Sequence, residues 1–210
     1  MSRAGHDPQR RRLLLAAAPW ALAGCTLGSS PRRDFYLLRD ANAQAPAPPG
    51  PAIDKVLLIA SGAMPGLYDS DRMVFSADGR SRSYFQFGYW SERPAQSLLL
   101  LAEARLASTQ RFRTVASSTS GVRGDLLLTL RLEELYLDAS LDPGQVRLAV
   151  AAELVDWRER KLVARRSFRQ SVEVSPRDAP DLALAGSQAM GRVLDELVAW
   201  VVASAAAMPA

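Results

Sequence analysis

Leu126-Leu127-Leu128-Thr129-Leu130-Arg131-Leu132 carries leucine at every even position, with Thr129 and Arg131 between. A period of two is the spacing of a β-strand with one buried face. Beyond Glu133-Glu134 the apolar residues fall on odd positions, Leu135 and Leu137. Such a parity change predicts a β-bulge at the glutamate pair. Val146, Leu148, Val150, Ala152 and Leu154 then share one face of a second strand, with Arg147 and Glu153 on the other. Leu162, Phe168, Val172 and Val174 share a face of a third. Asp142-Pro143-Gly144 and Glu159-Arg160 supply the turns. The pattern is an antiparallel meander with one face buried and one wet.

Working outward, a helix begins near Asp178, which can cap it, and Asp181 favours the positive end of its dipole. Met190, Val193, Leu194, Leu197 and Val201 form its apolar stripe. The apolar run over 197–208 is too short to span a bilayer, which takes roughly 20 residues. On the N-terminal side, residues 34–39 and 55–60 read as strands. Residues 72–75 and 82–87 flank Asp78-Gly79, a hairpin signal because both positions tolerate positive φ. Residues 91–109 form a helix, with Pro94 in its first turn and Leu98, Leu101, Ala102 and Leu106 at helical spacing. Residues 111–117 add a strand. Residues 42–51 hold four prolines and read as a loop. The expected fold is α/β in an α+β-like arrangement: one domain, a mixed, largely antiparallel sheet with a central meander, and two main helices packed on it.

The N-terminus reads separately. Arg10, Arg11 and Arg12 precede an apolar stretch over 13–22, and Leu22-Ala23-Gly24 lead into Cys25, the only cysteine of 210 residues. These are the parts of a bacterial lipoprotein signal, cut before Cys25, whose thiol then takes the lipid. A single cysteine in an exported protein cannot form an internal disulfide, and acylation (palmitate among the chains) gives it a use. The organisation expected is signal peptide 1–24, flexible tether 25–31 and one domain over 32–206. Thr26 follows the cysteine, where an aspartate would favour inner-membrane retention. The expected location is therefore the periplasmic face of a Gram-negative outer membrane. The triple arginine also resembles a twin-arginine export signal, although basic residues begin most signal peptides.

Removing residues 1–24 takes most of the formal +4 charge with it, so the basic balance belongs to targeting. The remaining basic residues are dispersed, which argues against nucleic-acid binding. His6, the only histidine, lies in the signal. The mature chain is thus expected to lack histidine-dependent nucleophilic catalysis, metal sites and cofactors. Carboxylates remain. Glu133 and Glu134 could converge at a bulge as a glycosidase pair, or stand as solvated charges on the wet face. Tyr84 to Phe87 with Tyr89 and Trp90 form the densest aromatic region, either core packing or a surface that binds a partner or lipid.

At this region a family resemblance appears. Pro65-Gly66-Leu67-Tyr68-Asp69-Ser70-Asp71-Arg72-Met73-Val74-Phe75, then Tyr84-Phe85 and Tyr89-Trp90-Ser91-Glu92-Arg93-Pro94-Ala95, resemble the ABC-type transport auxiliary lipoproteins, the group that includes paraquat-inducible protein C. Phe35-Tyr36-Leu37 is similar to their opening strand. The similarity spans residues 32–203. Phe87-Gly88 departs from it, standing where a polar or charged residue is usual. The resemblance implies a non-catalytic, outer-membrane-anchored periplasmic component of an ABC and mammalian-cell-entry (MCE) system that moves lipid between membranes. Implied partners are an MCE-domain protein, the permease and ATPase, the membrane through the N-terminal lipid, phospholipid, and further copies of the chain in a ring. Tyr68, Asp69, Arg72, Met73, Tyr84, Phe85, Trp90 and Pro94 are the motif residues it offers as partner contacts. Two alternatives stand beside it: an assembly factor for lipopolysaccharide or outer-membrane proteins, and a carboxylate-dependent envelope hydrolase.

Overall fold

The leucine-rich stretch forms β6 (Leu126–Asp138) in a computed structural model that describes residues 33–63 and 65–208. The signal, Leu22, Ala23, Gly24, Cys25 and the tether lie outside the described residues. β6 is paired along its full length with β7 (Gly144–Asp156), which in turn pairs with β8 (Lys161–Val174), both antiparallel. The β6–β7 register runs Leu132↔Val150 and then Glu134↔Ala149, leaving Glu133 as the extra residue. The bulge read from the parity change sits there. It keeps Leu130, Leu132, Leu135 and Leu137 on one buried face.

A second bulge was not legible. Leu154 pairs with Ala164, but Val155 pairs with Leu162, so Val163 has no opposite number. The side chains of β8 change face at that point. Leu162 therefore does not share a face with Phe168, contrary to the alternation read from sequence. It is 49 % exposed, while Val163 packs on the core.

The other edge of β6 is divided between two strands. β2 (Ile53–Ser61) lies parallel to its first half, from Leu57↔Leu126 to Ser61↔Leu130. β3 (Arg72–Ser76) lies parallel to its end, with Phe75↔Leu137 and Ser76↔Asp138. The sheet thus forks. One branch continues from β2 to the parallel strand β5 (Phe112–Ser117). The other continues from β3 to the antiparallel β4 (Ser83–Trp90) and then to the short parallel β1 (Asp34–Tyr36). The long ladders are antiparallel, and the fork is parallel.

Two helices cover the even-leucine face. α1 (Pro94–Ser108) starts with Pro94, whose missing N–H costs nothing in a first turn. α2 (Ala179–Ala206) is capped by Asp178, whose carboxylate accepts the Asp181 N–H at 3.1 Å. Met190, Val193, Leu194, Leu197 and Val201 are fully buried against the sheet. The proline-rich loop is held by Arg111, which donates to the carbonyls of Pro48 at 2.8 Å, Pro49 at 2.7 Å and Pro51 at 2.9 Å. Proline brings carbonyls without matching N–H groups, so one guanidinium suits this segment.

Candidate docking surfaces

The β3–β4 hairpin positions the motif residues. At its turn Gly79 has φ +73°, and the Asp78 carboxylate accepts the Arg80 N–H at 2.9 Å and the Ser81 N–H at 2.7 Å. Those two backbone hydrogen bonds and the Ser81 hydroxyl hold Asp78 down at about 2. The β3–β4 register shifts between Val74↔Tyr84 and Arg72↔Tyr89, so Phe85 and Gly88 both face the helix side, while Tyr84 and Tyr89 face the open side.

On the helix side the aromatic motif is interior. Trp90 is 2 % exposed and lies over Gly186 of α2, where a methyl group would stand only 3.6 Å from the indole. Met73 and Pro94 are buried as well. Phe85 and Phe75 pack with ring centroids 4.9 Å apart. Gly88 faces Ala179 at the start of α2 so closely that a Cβ on it would lie 2.7 Å from the alanine methyl. At Gly88 the departure thus has a packing reason, because no larger residue fits under the helix, whereas Phe87 is exposed.

On the open side, arginines stack on aromatic rings across neighbouring strands. The Arg72 guanidinium lies 4.0 Å from the Tyr84 ring centroid, and Arg82 lies 3.6 Å from that of Tyr136. Tyr68 is buried beside this group; burial raises its hydroxyl pKa, and the hydrogen bond and charge of Arg82 oppose that rise. Arg33 lies 5.5 Å from the Tyr89 centroid, and Phe35 lies 5.8 Å from the same ring. Asp69 turns instead to Arg93 at 3.5 Å. Arg33 and Phe35 were not singled out as site residues by sequence reasoning. The signal available was parity: Phe35 and Leu37 alternate with Tyr36 and the buried Leu38.

A second surface lies at the opposite end of β6. Trp157 and Val122 are each 44 % exposed, beside a depression of about 500 Å³ lined also by Arg113, Arg123, Asp125 and Arg158. Buried Asp125 stitches this end together. Its carboxylate accepts the Val56 N–H at 2.7 Å and pairs with Arg158 at 2.5 Å and Arg113 at 3.3 Å.

The two carboxylates read as a candidate pair, Glu133 and Glu134, lie at the bulge between the buried Leu132 and Leu135. Glu133 is tied to Arg131 at 2.7 Å and Glu153 to Arg165 at 3.0 Å. A cavity of about 680 Å³ lies between the start of β8 and the end of α2, lined by Leu162, Val163, Ala164, Ala207 and Met208 together with Asp156, Glu159, Lys161 and Ser204. Among the described residues, no group of three or more His, Cys, Asp or Glu side chains is placed to hold a metal. No described helix is long and apolar enough to cross a membrane.

These residues define a single mixed α/β domain whose notable surfaces are aromatic and cationic. The chain belongs to the family of the ABC-type transport auxiliary lipoprotein component, whose model matches residues 36–198. Its fold is similar to a crystal structure of a DUF330 protein from Xanthomonas campestris, with TM-score 0.75 and 21 % identity over 81 % of this chain and 95 % of that one. It is also similar to a crystal structure of an uncharacterized protein, with TM-score 0.63 and 13 % identity over 81 % and 99 % of the two chains. Comparison with curated proteins finds no match.

Proposed function

We propose that this chain is a non-catalytic accessory of an ABC and MCE intermembrane lipid transport system, held at the periplasmic face of the outer membrane by lipid on Cys25. Residues 1–24 are removed at Leu22-Ala23-Gly24, residues 25–31 are the tether, and residues 32–206 are the working domain. The observation that carries this reading is the family match along residues 36–198. The open face of β3 and β4 and the Trp157 end of the sheet offer docking surfaces rich in aromatic and arginine side chains, the types favoured at interfaces. A hydrophobic cargo needs a shielded route, since each acyl CH₂ left in water costs about 0.8 kcal/mol. An auxiliary domain docked on a conduit contributes to that shielding.

The test is photo-crosslinking in intact envelopes, with the reactive group replacing Trp157. Adducts with an MCE-domain protein or the permease are expected. Adducts confined to lipopolysaccharide-assembly or outer-membrane-insertion proteins would replace the transport reading with the assembly reading.

A further inference from the structure

We propose that Phe35, Leu37, Phe87 and Tyr89 form a seat for the surface of the bilayer that holds the lipidated Cys25, with Arg33 and Arg72 directed to lipid phosphates. The inference rests on the lipid-anchor reading above and names what the outer branch of the sheet touches.

The first argument is the surface itself. Phe35 is 62 % exposed, Leu37 54 % and Phe87 39 %. Phe35 lies opposite Tyr89 in the β1–β4 register. Gly88 and Trp90, on either side of Tyr89, point at α2, so Tyr89 points away from it, on the side of Phe35, whose ring centroid lies 5.8 Å away. Phe35 and Tyr89 thus share one face at the edge of the fork, with the exposed Leu37 and Phe87 two residues from them in the chain, and exposed apolar groups gathered in this way mark an interaction site.

The second argument is the path of the chain. β1 is the point at which the chain enters the described domain, and seven residues separate Cys25 from Arg33. Fully extended, that tether reaches about 27 Å. Chain length alone therefore lets the edge carrying Phe35 reach the membrane that holds the acyl chains on Cys25. The Trp157 end lies away from that edge: Phe35 pairs with Tyr89, which pairs with Arg72, near the end of β6, whereas Trp157 follows the partner of Leu126 at its start. At about 3.3 Å per residue the two surfaces stand roughly 25 Å apart along the strands.

The third argument is charge. Arg33 and Arg72 each stand at a ring of this face, and Arg32 precedes them in the chain. Asp34 lies on the other side of β1, towards Tyr36 and Asp178. Rings that immerse a short way, rimmed by guanidinium groups, fit the boundary between acyl chains and anionic headgroups. One lipid anchor gains from a second, weaker contact of this kind.

The experiment uses the full lipidated chain in vesicles of phosphatidylethanolamine and phosphatidylglycerol. Lipidation blocks Cys25, so Phe87→Cys introduces a single reactive thiol for an environment-sensitive fluorophore, and Trp157→Cys gives the control. Lipid carrying a quencher in the upper acyl chain is expected to quench the label at position 87 and leave the label at 157 bright. Arg33→Gln with Arg72→Gln is expected to lower the docked-to-undocked ratio of the label at 87 by a factor of about 25, or about fivefold per arginine. Equal quenching at both positions, or none at 87 on protein that still floats with the vesicles, would overturn the seat while leaving the anchor standing. Protein that fails to float would overturn the anchor and the seat together. A label at 87 shielded from aqueous iodide without vesicles would assign the patch to residues 26–32 instead.

Discussion

Arg105 of α1 forms a buried ion pair with Asp40, on the segment that leaves β1. The same guanidinium reaches Asp195 of α2, and Asn42 donates from Nδ2 to that carboxylate at 2.6 Å. One cation thus binds the N-terminal segment to both helices. Both members of the first pair are 6 % exposed. Asp40→Ala leaves a buried guanidinium only partly compensated and is expected to cost about 3 kcal/mol. Urea unfolding measures it. A midpoint unchanged from the parent would show that the pair contributes nothing net. Arg105→Met combined with Asp40→Leu is expected to recover most of the loss.

Gly88 and Ala179 face each other with no room for a second methyl group. Gly88→Ala forces the start of α2 away from β4 and is expected to destabilise by about 1–3 kcal/mol. Ala179→Gly in the same chain relieves the clash and is expected to return part of the melting temperature. Additive losses in the double variant would refute the contact as the cause.

Asp78 carries a pH dependence whose sign is fixed by its hydrogen bonds. Its pKa in the fold is about 2, below the ordinary 3.8. Its contribution to the hairpin is therefore fully present above about pH 4 and is lost as pH falls towards 2. Carboxyl NMR titration should give a midpoint near 2, with Arg80 and Ser81 amide exchange rising over the same window. A midpoint near 3.8 would mean that the turn does not hold the carboxylate in solution.

Cys25→Ala is expected to move the protein from the outer-membrane fraction to the soluble periplasmic fraction. Its melting temperature should stay that of the parent. Retention of the variant in the outer-membrane fraction would remove the lipid as the anchor.

Local pattern made much of the fold readable from the residues alone. The leucine parity shift foretold the bulge at Glu133, Asp78-Gly79 the hairpin, and Asp178 the start of α2. Pairings distant in sequence were not readable. Nothing in residues 53–61 says that they lie parallel to the first half of β6 while 72–76 take its other end. The fork arises from packing between segments, not from the period of either. The misplacement of Leu162 has a narrower cause: one unpaired residue, Val163, reversed the faces of β8 without leaving a parity signal strong enough to read. At the surface, the motif drew attention to Trp90 and Met73, which proved interior. The exposed ring partners Arg33 and Phe35 sit on or beside a three-residue strand, where the alternation of Phe35 and Leu37 with Tyr36 and Leu38 does not tell which face is covered.

α2 has a mechanical consequence. It runs unbroken for 28 residues, about 42 Å at 1.5 Å per residue. It begins against Gly88 beside the fork's outer branch and ends at Ala206, two residues before Met208, which lines a cavity with Leu162. The domain therefore has a stiff spar joining its two poles. Whatever grips one pole is set at a fixed standoff from whatever grips the other, and a push at either is passed along the helix axis without first bending the sheet.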